Sequence, residues 1–305
     1  MTYKEELCID AGSENCPCLL AASGDCITCS RLQGKDCCEC NWRGVCIYNE
    51  YMQNDKKINN KRENKRVPII KRIWYGEDLV VLVVGVSKGF ALKASLPGSY
   101  VFLKAGGEKD CYSVPVSVMK SEPEKGQIHL AVKVMAGKTK ALATANDELE
   151  MRGVYRNGIL GISNVVKKES RRVLAITKGV GFAPAVAYNR WAFGKDEVHF
   201  IIDQDKINQE FVNDYLIDIP AKSITYEDLS QGISGIKAED YDVIMILASD
   251  YYIDSIKEKL SIPWSKLAYS NNYHMCCGEG ICGACTMVDS RGESHKMCKC
   301  QFYDF

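Results

Sequence analysis

The chain has 305 residues, 39 basic and 39 acidic side chains, and a formal net charge of zero at pH 7. A chain of this length exceeds a typical single domain, so two or more folded units with buried cores are expected. Because neither charge sign dominates, nucleic acid or an anionic membrane is not expected as the main partner, which leaves small ligands or protein partners.

Cysteine is used heavily and unevenly: of 16 cysteines, nine precede residue 50, one is Cys111 and six follow residue 275. Residues 1–8 mix both charge signs, whereas a secretion signal needs a basic and then an apolar stretch, and no apolar run approaches the length of a membrane span. We therefore expect a cytoplasmic protein without a membrane span. A reducing compartment keeps thiols reduced, so metal or iron–sulfur ligation is the better interpretation of both cysteine groups.

Residues 1–53 are predicted to form a metal-stabilised Cys-rich module, because the segment has little apolar periodicity and a metal must supply much of its folding energy. The predicted ligands form two groups: Cys16, Cys18, Cys26 and Cys29, then Cys38, Cys40 and Cys46. Iron–sulfur ligation, as one [4Fe-4S] cluster or two smaller centres, and structural zinc both remain open. Spare thiols are expected at Cys8, Cys37 and Cys111. Trp42 and Tyr48 are expected to pack over the site.

Residues 54–66 are rich in lysine, arginine and asparagine. This composition is typical of a solvated basic linker or an exposed helix. A basic docking patch for an acidic electron-transfer partner is the alternative.

Residues 67–165 are predicted to form a small antiparallel β-barrel, because short apolar runs alternate with glycine and proline turns. The alternation of apolar and polar residues in Ile128–Val134 suits a half-buried antiparallel sheet. The predicted strands are Leu79–Val86, Gly89–Ala94, Tyr100–Lys104, Val114–Met119 and Ile128–Val134.

Residues 166–270 change period and alternate strands with helices, which predicts a parallel α/β domain. The predicted strands are Val173–Ile176, Val198–Ile202 and Val243–Leu247. The predicted helices are Ala183–Trp191, Phe211–Leu216 and Tyr252–Leu260. The fold class is therefore multidomain α+β.

Residues 271–305 contain Cys277, Cys282 and Cys285 in a C-x4-C-x2-C run, followed by Cys298. This is the plant-type ligand spacing for a [2Fe-2S] cluster, in which thiolates from one short loop converge on two irons. The interleaved glycines let backbone N–H groups approach the sulfurs. A zinc knuckle is the alternative, and Cys300 is the alternative fourth ligand.

Several motifs of residues 67–300, in this order, resemble those of a known family. Pro97–Val101 resembles Pro-Gly-Gln-Phe-Val, and the Pro115, Val116, Ser117 segment resembles an Arg-Pro-Ile-Ser strand beside a flavin. Gly153–Gly158 resembles Gly-Pro-Leu-Gly-Asn-Gly. Two further motifs resemble a Gly-x-Gly-Thr turn and a Gly-Gly-Gly-x-Gly-x-Ala-Pro turn: Gly137, Lys138 and Thr139, then Gly179, Gly181, Ala183 and Pro184.

With the C-terminal cysteine loop, these motifs resemble the electron transfer subunit of dihydroorotate dehydrogenase. They are also similar to the flavoprotein subunits of sulfide dehydrogenase and to ferredoxin:NADP oxidoreductases. The resemblance implies an FAD-binding-type barrel, with the FAD pyrophosphate held at residues 137–139, and an NAD(P)-binding-type α/β domain. The Cys-rich module at the N-terminus is additional to the family pattern.

Three departures from the family pattern affect the expected binding of the flavin and of NAD(P). Val114 replaces the arginine that contacts the flavin phosphates, and Thr177 and Lys178 replace two glycines of the nucleotide turn. The family's Cys-Gly-Pro beside the nicotinamide is Ala-Ser-Asp here, ending at Asp250. NAD(P) binding is therefore left open.

The resemblance implies an electron-transfer iron–sulfur flavoprotein subunit of a larger oxidoreductase, which passes electrons between FAD, the [2Fe-2S] cluster and a partner protein. No catalytic residue is identified, because the chain has only four histidines and no nucleophile motif. A catalytic partner is therefore implied. A non-catalytic conduit or assembly subunit and a zinc-bound scaffold are the alternatives.

Overall fold

The computed structural model describes residues 8–163, 171–205 and 207–301. The chain divides into two compact units. The cysteine unit comprises Met1–Glu63 and Tyr273–Phe305, and the barrel–sheet unit comprises Asn64–Asn272. The predicted boundary between the barrel and the α/β domain, at residues 165 and 166, lies outside the described residues.

Six antiparallel strands close into a barrel in the order β1-β2-β5-β4-β3-β6, which confirms the predicted barrel. The strands are β1 (Lys65–Tyr75), β2 (Leu79–Gly85), β3 (Tyr100–Ala105), β4 (Val114–Glu122), β5 (Gln127–Lys133) and β6 (Glu148–Tyr155). Strand β2 is apolar throughout because both of its faces are covered. Val80, Leu82 and Val84 face the barrel core, whereas Leu79 and Val81 pack with residues of the α/β sheet.

The prediction of a strand at Gly89–Ala94 is wrong, because residues Lys88–Ala94 form a helix. Ser87 begins this helix: its hydroxyl accepts a hydrogen bond from the Phe90 N–H at 3.2 Å. Such an N-cap satisfies a donor that the first helical turn leaves without a partner. Ala91 and Ala94 are spaced by three residues and pack against the barrel core.

The α/β sheet has the strand order β10-β9-β8-β11-β12-β7, with β7 antiparallel to β12 and the other neighbours parallel. This arrangement confirms the predicted parallel sheet and places a topological switch point between β8 and β11. The strands are β7 (Ile159–Leu160), β8 (Arg172–Thr177), β9 (Glu197–Asp203), β10 (Ser223–Glu227), β11 (Val243–Leu247) and β12 (Leu267–Ser270).

The α-helices, numbered along the chain, flank these strands and also occur in the cysteine unit. They are α1 (Leu19–Ser23), α2 (Ile47–Gln53), α3 (Lys88–Ala94), α4 (Gly137–Thr144), α5 (Phe182–Ala192), α6 (Gln209–Leu216) and α7 (Asp250–Lys259). Short 3-10 helices occur at Ser30–Gln33, Asp110–Tyr112, Gly179–Gly181, Ala238–Asp240 and Trp264–Lys266. Within the described ranges, no helix combines the length and the apolar character needed to cross a membrane.

The cysteine unit joins the two ends of the chain. Cys8 pairs with Cys300 in an isolated antiparallel bridge, and the Ile9 N–H donates to the Lys299 carbonyl at 2.8 Å. A hairpin of β13 (Thr286–Val288) and β14 (Ser294–Lys296) precedes this segment. The N-terminal module and the C-terminal loop, predicted as separate segments, therefore fold as one unit.

Candidate functional site

The C-terminal loop brings four thiols together. The Cys298 thiol donates to Cys277 and Cys285, and Cys282 contacts Cys277. Backbone N–H groups also point at the sulfurs: Glu279 donates to Cys277 Sγ at 3.3 Å and Cys298 to Cys285 Sγ at 3.4 Å. The hydrogen bond from the Cys298 thiol lowers the pKa of Cys277 and of Cys285.

This loop fits the donor set of a [2Fe-2S] cluster. Four thiols converge from the predicted positions, and hydrogen bonds to the sulfurs are typical of such sites. Cys285 and Cys298 are buried, whereas Cys282 is exposed. The position of Cys298 favours it as the fourth ligand, while Cys300 lies opposite Cys8.

Gly280 shows why the loop needs glycine between its first two cysteines. Its φ of 77° lies in the left-handed region, which side chains other than glycine rarely adopt. A Cβ at this position would lie 3.0 Å from Leu20 Cδ1. The loop therefore packs closely against α1 of the same unit.

A buried ion network ties the loop to the N-terminal segment. The Lys299 side chain is fully buried, and its Nζ lies 2.6 Å from Asp10 Oδ2 and 3.0 Å from Glu279 Oε2. Arg62 Nη2 lies 2.8 Å from Asp10 Oδ1, and Arg62 Nη1 lies 3.4 Å from Glu279 Oε2. Burial opposes the ionisation of Asp10, but Lys299 and Arg62 outweigh it and lower its pKa to about 2. Sequence patterns gave no sign of this network, because its members are distant in the chain.

The N-terminal cysteines occupy two neighbourhoods. Cys8, Cys16, Cys18 and Cys26 line one cavity. Desolvation raises the pKa of Cys38, and the thiols of Cys40, Cys29 and Cys46 lie close enough to raise it further. Cys29 lies near Cys26 of the first neighbourhood as well as near Cys38, and Cys8, predicted to be spare, lines the first. Cys37 and Cys111 are exposed.

Aromatic side chains pack on the cysteine core. Trp42 and Tyr48 pack against a buried cluster that includes Cys16, Cys26 and Cys29, as predicted. The Trp42 indole fits beside Gly12 and Gly44, where an added Cβ would lie 2.5 Å and 2.3 Å from Trp42 Cζ2. Its Nε1 donates to the Val45 carbonyl at 2.8 Å.

The predicted flavin strand segment lies on β4 of the barrel. Pro115 pairs with Phe102 and Ser117 with Tyr100 on β3. Val116 is buried in the barrel core, whereas Pro115 is exposed. The segment therefore presents Pro115 at the surface of the barrel–sheet unit.

The predicted pyrophosphate turn begins helix α4. Gly137 is the first helical residue, and nothing lies within 4 Å of the position of an added Cβ. The Thr139 hydroxyl accepts from the Met135 and Ala136 N–H groups at 2.9 and 3.1 Å and donates to the Ala136 carbonyl at 3.0 Å. It therefore stabilises its own turn, and the first-turn N–H groups are the donors available to an anion. Lys138 donates to the Cys111 carbonyl.

Arg152 was missed by the sequence analysis. It lies on β6, opposite Phe102 and two strands from Val114, where the family has its arginine. Its guanidinium carbon lies 5.1 Å from the centre of the Phe102 ring, and Nε is buried with no hydrogen-bond partner among the described residues. A half-buried guanidinium whose Nε lacks a partner, two strands from the predicted flavin strand, fits an anionic or polar ligand group. Arg152 directly precedes the family-like motif Gly153–Gly158, and this position was the sequence feature that could have identified it.

The predicted nucleotide turn joins β8 to α5. A Cβ on Gly181 would lie 1.9 Å from the Leu247 carbonyl oxygen, whereas Gly179 has open space around it and a φ of 56°. Gly181 is therefore needed for close packing against β11. Ala183 and Pro184 are buried in the first turn of α5.

The side chain of Lys178, in this turn, contacts residues of two other elements. Its Nζ lies 2.5 Å from Asp203 Oδ2 at the end of β9 and 4.7 Å from the centre of the Tyr252 ring. In dinucleotide-binding sheets, an acidic residue after the second strand binds the ribose. Here the acidic side chain in that region is already paired with a lysine from the turn. Asp250 begins α7 and accepts from the Asn272 side chain at 2.9 Å.

Comparisons with known proteins support the same family. The chain is 25% identical over 206 residues to a probable dihydroorotate dehydrogenase B (NAD(+)), electron transfer subunit, from Archaeoglobus fulgidus, which covers 63% of this chain and 80% of that protein. No protein-family model matches the chain. The sequence match confirms the resemblance predicted from the motifs.

Solved structures show the fold. An NADH-dependent reduced ferredoxin-NADP oxidoreductase, studied for flavin-based electron bifurcation, is similar with a TM-score of 0.57 and 19% identity over 76% of this chain and 85% of that one. The ferredoxin reductase of carbazole 1,9a-dioxygenase is similar with a TM-score of 0.51 and 14% identity over 69% of this chain and 70% of that one.

Proposed function

We propose that this chain is an electron-transfer iron–sulfur flavoprotein subunit of a larger oxidoreductase. The observation that carries the proposal is the convergence of Cys277, Cys282, Cys285 and Cys298 in a chain that also has the barrel and sheet of flavin-dependent reductases. The relative from Archaeoglobus fulgidus is an electron transfer subunit. A subunit of this kind passes electrons to or from a partner protein.

FAD is the proposed flavin of the barrel–sheet unit. When bound, FAD exchanges electrons in pairs or singly, and the protein supplies its binding and orientation. The first-turn N–H groups of α4 would hold the pyrophosphate, and Pro115 and Ser117 would border the flavin. Arg152 would supply the positive charge that is missing at Val114.

The [2Fe-2S] cluster is the proposed point of electron exchange with the partner. Cys282 and Ile281 are exposed, so one side of the ligand loop faces solvent. An apolar, exposed loop tip suits a partner surface that must approach a cluster closely. Of the other three proposed ligands, Cys285 and Cys298 are buried and Cys277 is half-buried.

NAD(P)H is proposed to be a poor electron donor to this chain. The Lys178–Asp203 ion pair engages the carboxylate that would otherwise meet a ribose, and Asp250 adds negative charge at the start of α7. The same features support the alternative proposal, a conduit or assembly subunit that keeps the reductase fold without nicotinamide use. A zinc-bound scaffold is the second alternative.

Calorimetric titration of the full chain with FAD tests the flavin assignment. Arg152→Gln should weaken FAD binding by about 10- to 100-fold, because a hydrogen bond to a charged group contributes about 1.5–3 kcal/mol. Arg172→Gln is the matched control, since Arg172 stacks on Tyr241 at the start of β8. If the wild-type protein binds no FAD, the conduit proposal replaces this one.

A further inference from the structure

Cysteine residues line a cavity in the cysteine unit. Its wall includes four cysteines together with Asp10, Thr28, Leu20 and Ile47, and Cys16 and Cys26 are only 8% exposed. The four cysteines that face it are Cys8, Cys16, Cys18 and Cys26. Four cysteines around one cavity, in a unit with a modest apolar core, supply the ligand type of a soft metal centre.

Backbone groups already point at these sulfurs. The Gly12 N–H donates to Cys16, the Thr28 and Cys29 N–H groups donate to Cys26, and the Asp10 N–H donates to Cys8. Hydrogen bonds of this kind orient thiolate ligands and offset their negative charge. The buried ammonium of Lys299 also lies near Cys8, with Asp10 between them. A metal centre with a net negative charge therefore has compensating groups in place.

The other N-terminal cysteines are gathered on the far side of Cys26, around Cys29, which lies near both Cys26 and Cys38. The Ser30 hydroxyl donates to the Cys37 carbonyl at 3.2 Å and accepts from the Glu39 N–H at 2.8 Å, which holds Cys38 beside the Cys29–Ser30 segment. Cys46 precedes helix α2, and Trp42 packs in the same core. Cys29 is thus fixed next to the segment that carries Cys38 and Cys40.

We propose that the cysteine unit binds two tetrathiolate metal centres, one held by Cys8, Cys16, Cys18 and Cys26 and the other by Cys29, Cys38, Cys40 and Cys46. The ligand chemistry is that of an iron–sulfur cluster or a zinc ion, both of which four thiolates bind. The proposal extends the proposed function, because it supplies the centres that lie beyond the C-terminal cluster. It does not require FAD.

The pairing of Cys8 with Cys300 gives this proposal a functional consequence. Cys300 is two residues from Cys298, so a ligand of the first N-terminal centre lies next to the segment that supplies a ligand of the C-terminal loop. An iron–sulfur cluster at the first centre would therefore continue the electron path within one unit. Zinc at the same position would make the centre structural.

The test uses the full chain purified anaerobically, with iron, zinc and acid-labile sulfide measured per chain. Cys8→Ser should lose one centre, Cys29→Ser the other, and the double variant both, while Cys37→Ser keeps the wild-type content. Loss of iron and sulfide identifies a cluster, and loss of one zinc identifies a zinc ion. Wild-type metal content in Cys8→Ser, or loss of the same centre from Cys8→Ser and Cys29→Ser, overturns the proposal.

Alkylation of the wild-type protein tests the proposal without a variant that could misfold. Cys38 and Cys46 are exposed, as are Cys37 and Cys111. Iodoacetamide should label Cys37 and Cys111 in the native protein but reach Cys38 and Cys46 only after a chelator removes the metal. Equal labelling of all four before metal removal overturns the second centre. An intact [2Fe-2S] EPR signal in the same sample separates that result from failure of the proposed function.

Discussion

Cys298 and Cys300 are two residues apart and have different neighbours. Cys298 contacts Cys277 and Cys285, whereas Cys300 pairs with Cys8 across an antiparallel bridge. The chain spacing predicted both as candidates for the fourth ligand of the cluster. The tertiary structure favours Cys298.

Replacing Cys298 by Ser should abolish the [2Fe-2S] EPR signal of the reduced protein, because serine is a poor substitute for a thiolate ligand of iron. Cys300→Ser should keep that signal. Both variants are compared at equal protein concentration after anaerobic purification. The reverse pattern, with the signal lost only in Cys300→Ser, would make Cys300 the ligand.

Lys299 is the buried centre of the ion network. Lys299→Met should lower the free energy of unfolding of the cysteine unit by about 3–5 kcal/mol, because it removes the buried cation that pairs with both Asp10 and Glu279. Denaturant unfolding followed by the metal–thiolate absorption reports on this unit.

Lys35→Met is the control, because Lys35 pairs with Glu39 at 2.7 Å but both side chains are more than half exposed. Its cost should be below about 1 kcal/mol. Equal unfolding midpoints for Lys299→Met and the wild type would show that the network does not stabilise the unit.

The loop cysteines were predictable from their spacing in the sequence. Residues whose role depends on contacts distant in the chain were not. The predicted ligands Cys277, Cys282 and Cys285 lie within one loop, so their spacing alone was enough to predict a cluster site. Cys8 has no cysteine partner at a ligand-like spacing, and its place in the cavity depends on contacts with the far end of the chain. Arg152 was missed for the same reason, because its neighbours lie on other strands.

At the scale of elements, strands with strong apolar patterns were predicted well and elements with mixed patterns were not. The start of strand β1 was assigned to the basic linker, because its first two residues, Lys65 and Arg66, are charged and exposed. Gly89–Ala94 was assigned to a strand, although Ser87 provides an N-cap and the segment lacks β-branched residues. In both places, the residue pattern that marks the observed element is short, and the composition of the surrounding segment favoured a different element.

The two glycine turns of the barrel–sheet unit should respond differently to alanine. Gly181→Ala should cost at least about 1–3 kcal/mol, because its Cβ would overlap the Leu247 carbonyl and force the helix away from β11. Gly137→Ala, with open space at the first residue of α4, should be neutral or stabilise by up to about 1 kcal/mol. Thermal unfolding of both variants measures the difference, and similar melting temperatures would contradict it.

For the whole molecule, the division into units was the feature least accessible from the sequence. The cysteine groups at the two ends are separated by more than 200 residues, yet they share one compact unit. A buried cation, two carboxylates and a backbone bridge join them, and no periodic pattern marks such contacts. The barrel and the parallel sheet were predictable because each repeats a regular element.

Electron entry from a nicotinamide should be slow in this protein. With FAD bound, stoichiometric NADH or NADPH should cause little bleaching of the flavin in stopped-flow mixing, because Lys178 engages Asp203 and Asp250 repels an anionic cofactor. Dithionite should bleach the same flavin fully. Rapid bleaching by either nicotinamide would restore the ordinary reductase function.

The most direct test of the central claim is the EPR spectrum of the reduced full chain, compared between the wild type and Cys282→Ser, with flavin content measured on the same samples. The wild type should show a [2Fe-2S] signal and bind FAD, and Cys282→Ser should lose that signal while it keeps the flavin. An undiminished [2Fe-2S] signal in Cys282→Ser, or a wild-type protein that has zinc and neither iron nor flavin, would contradict the account.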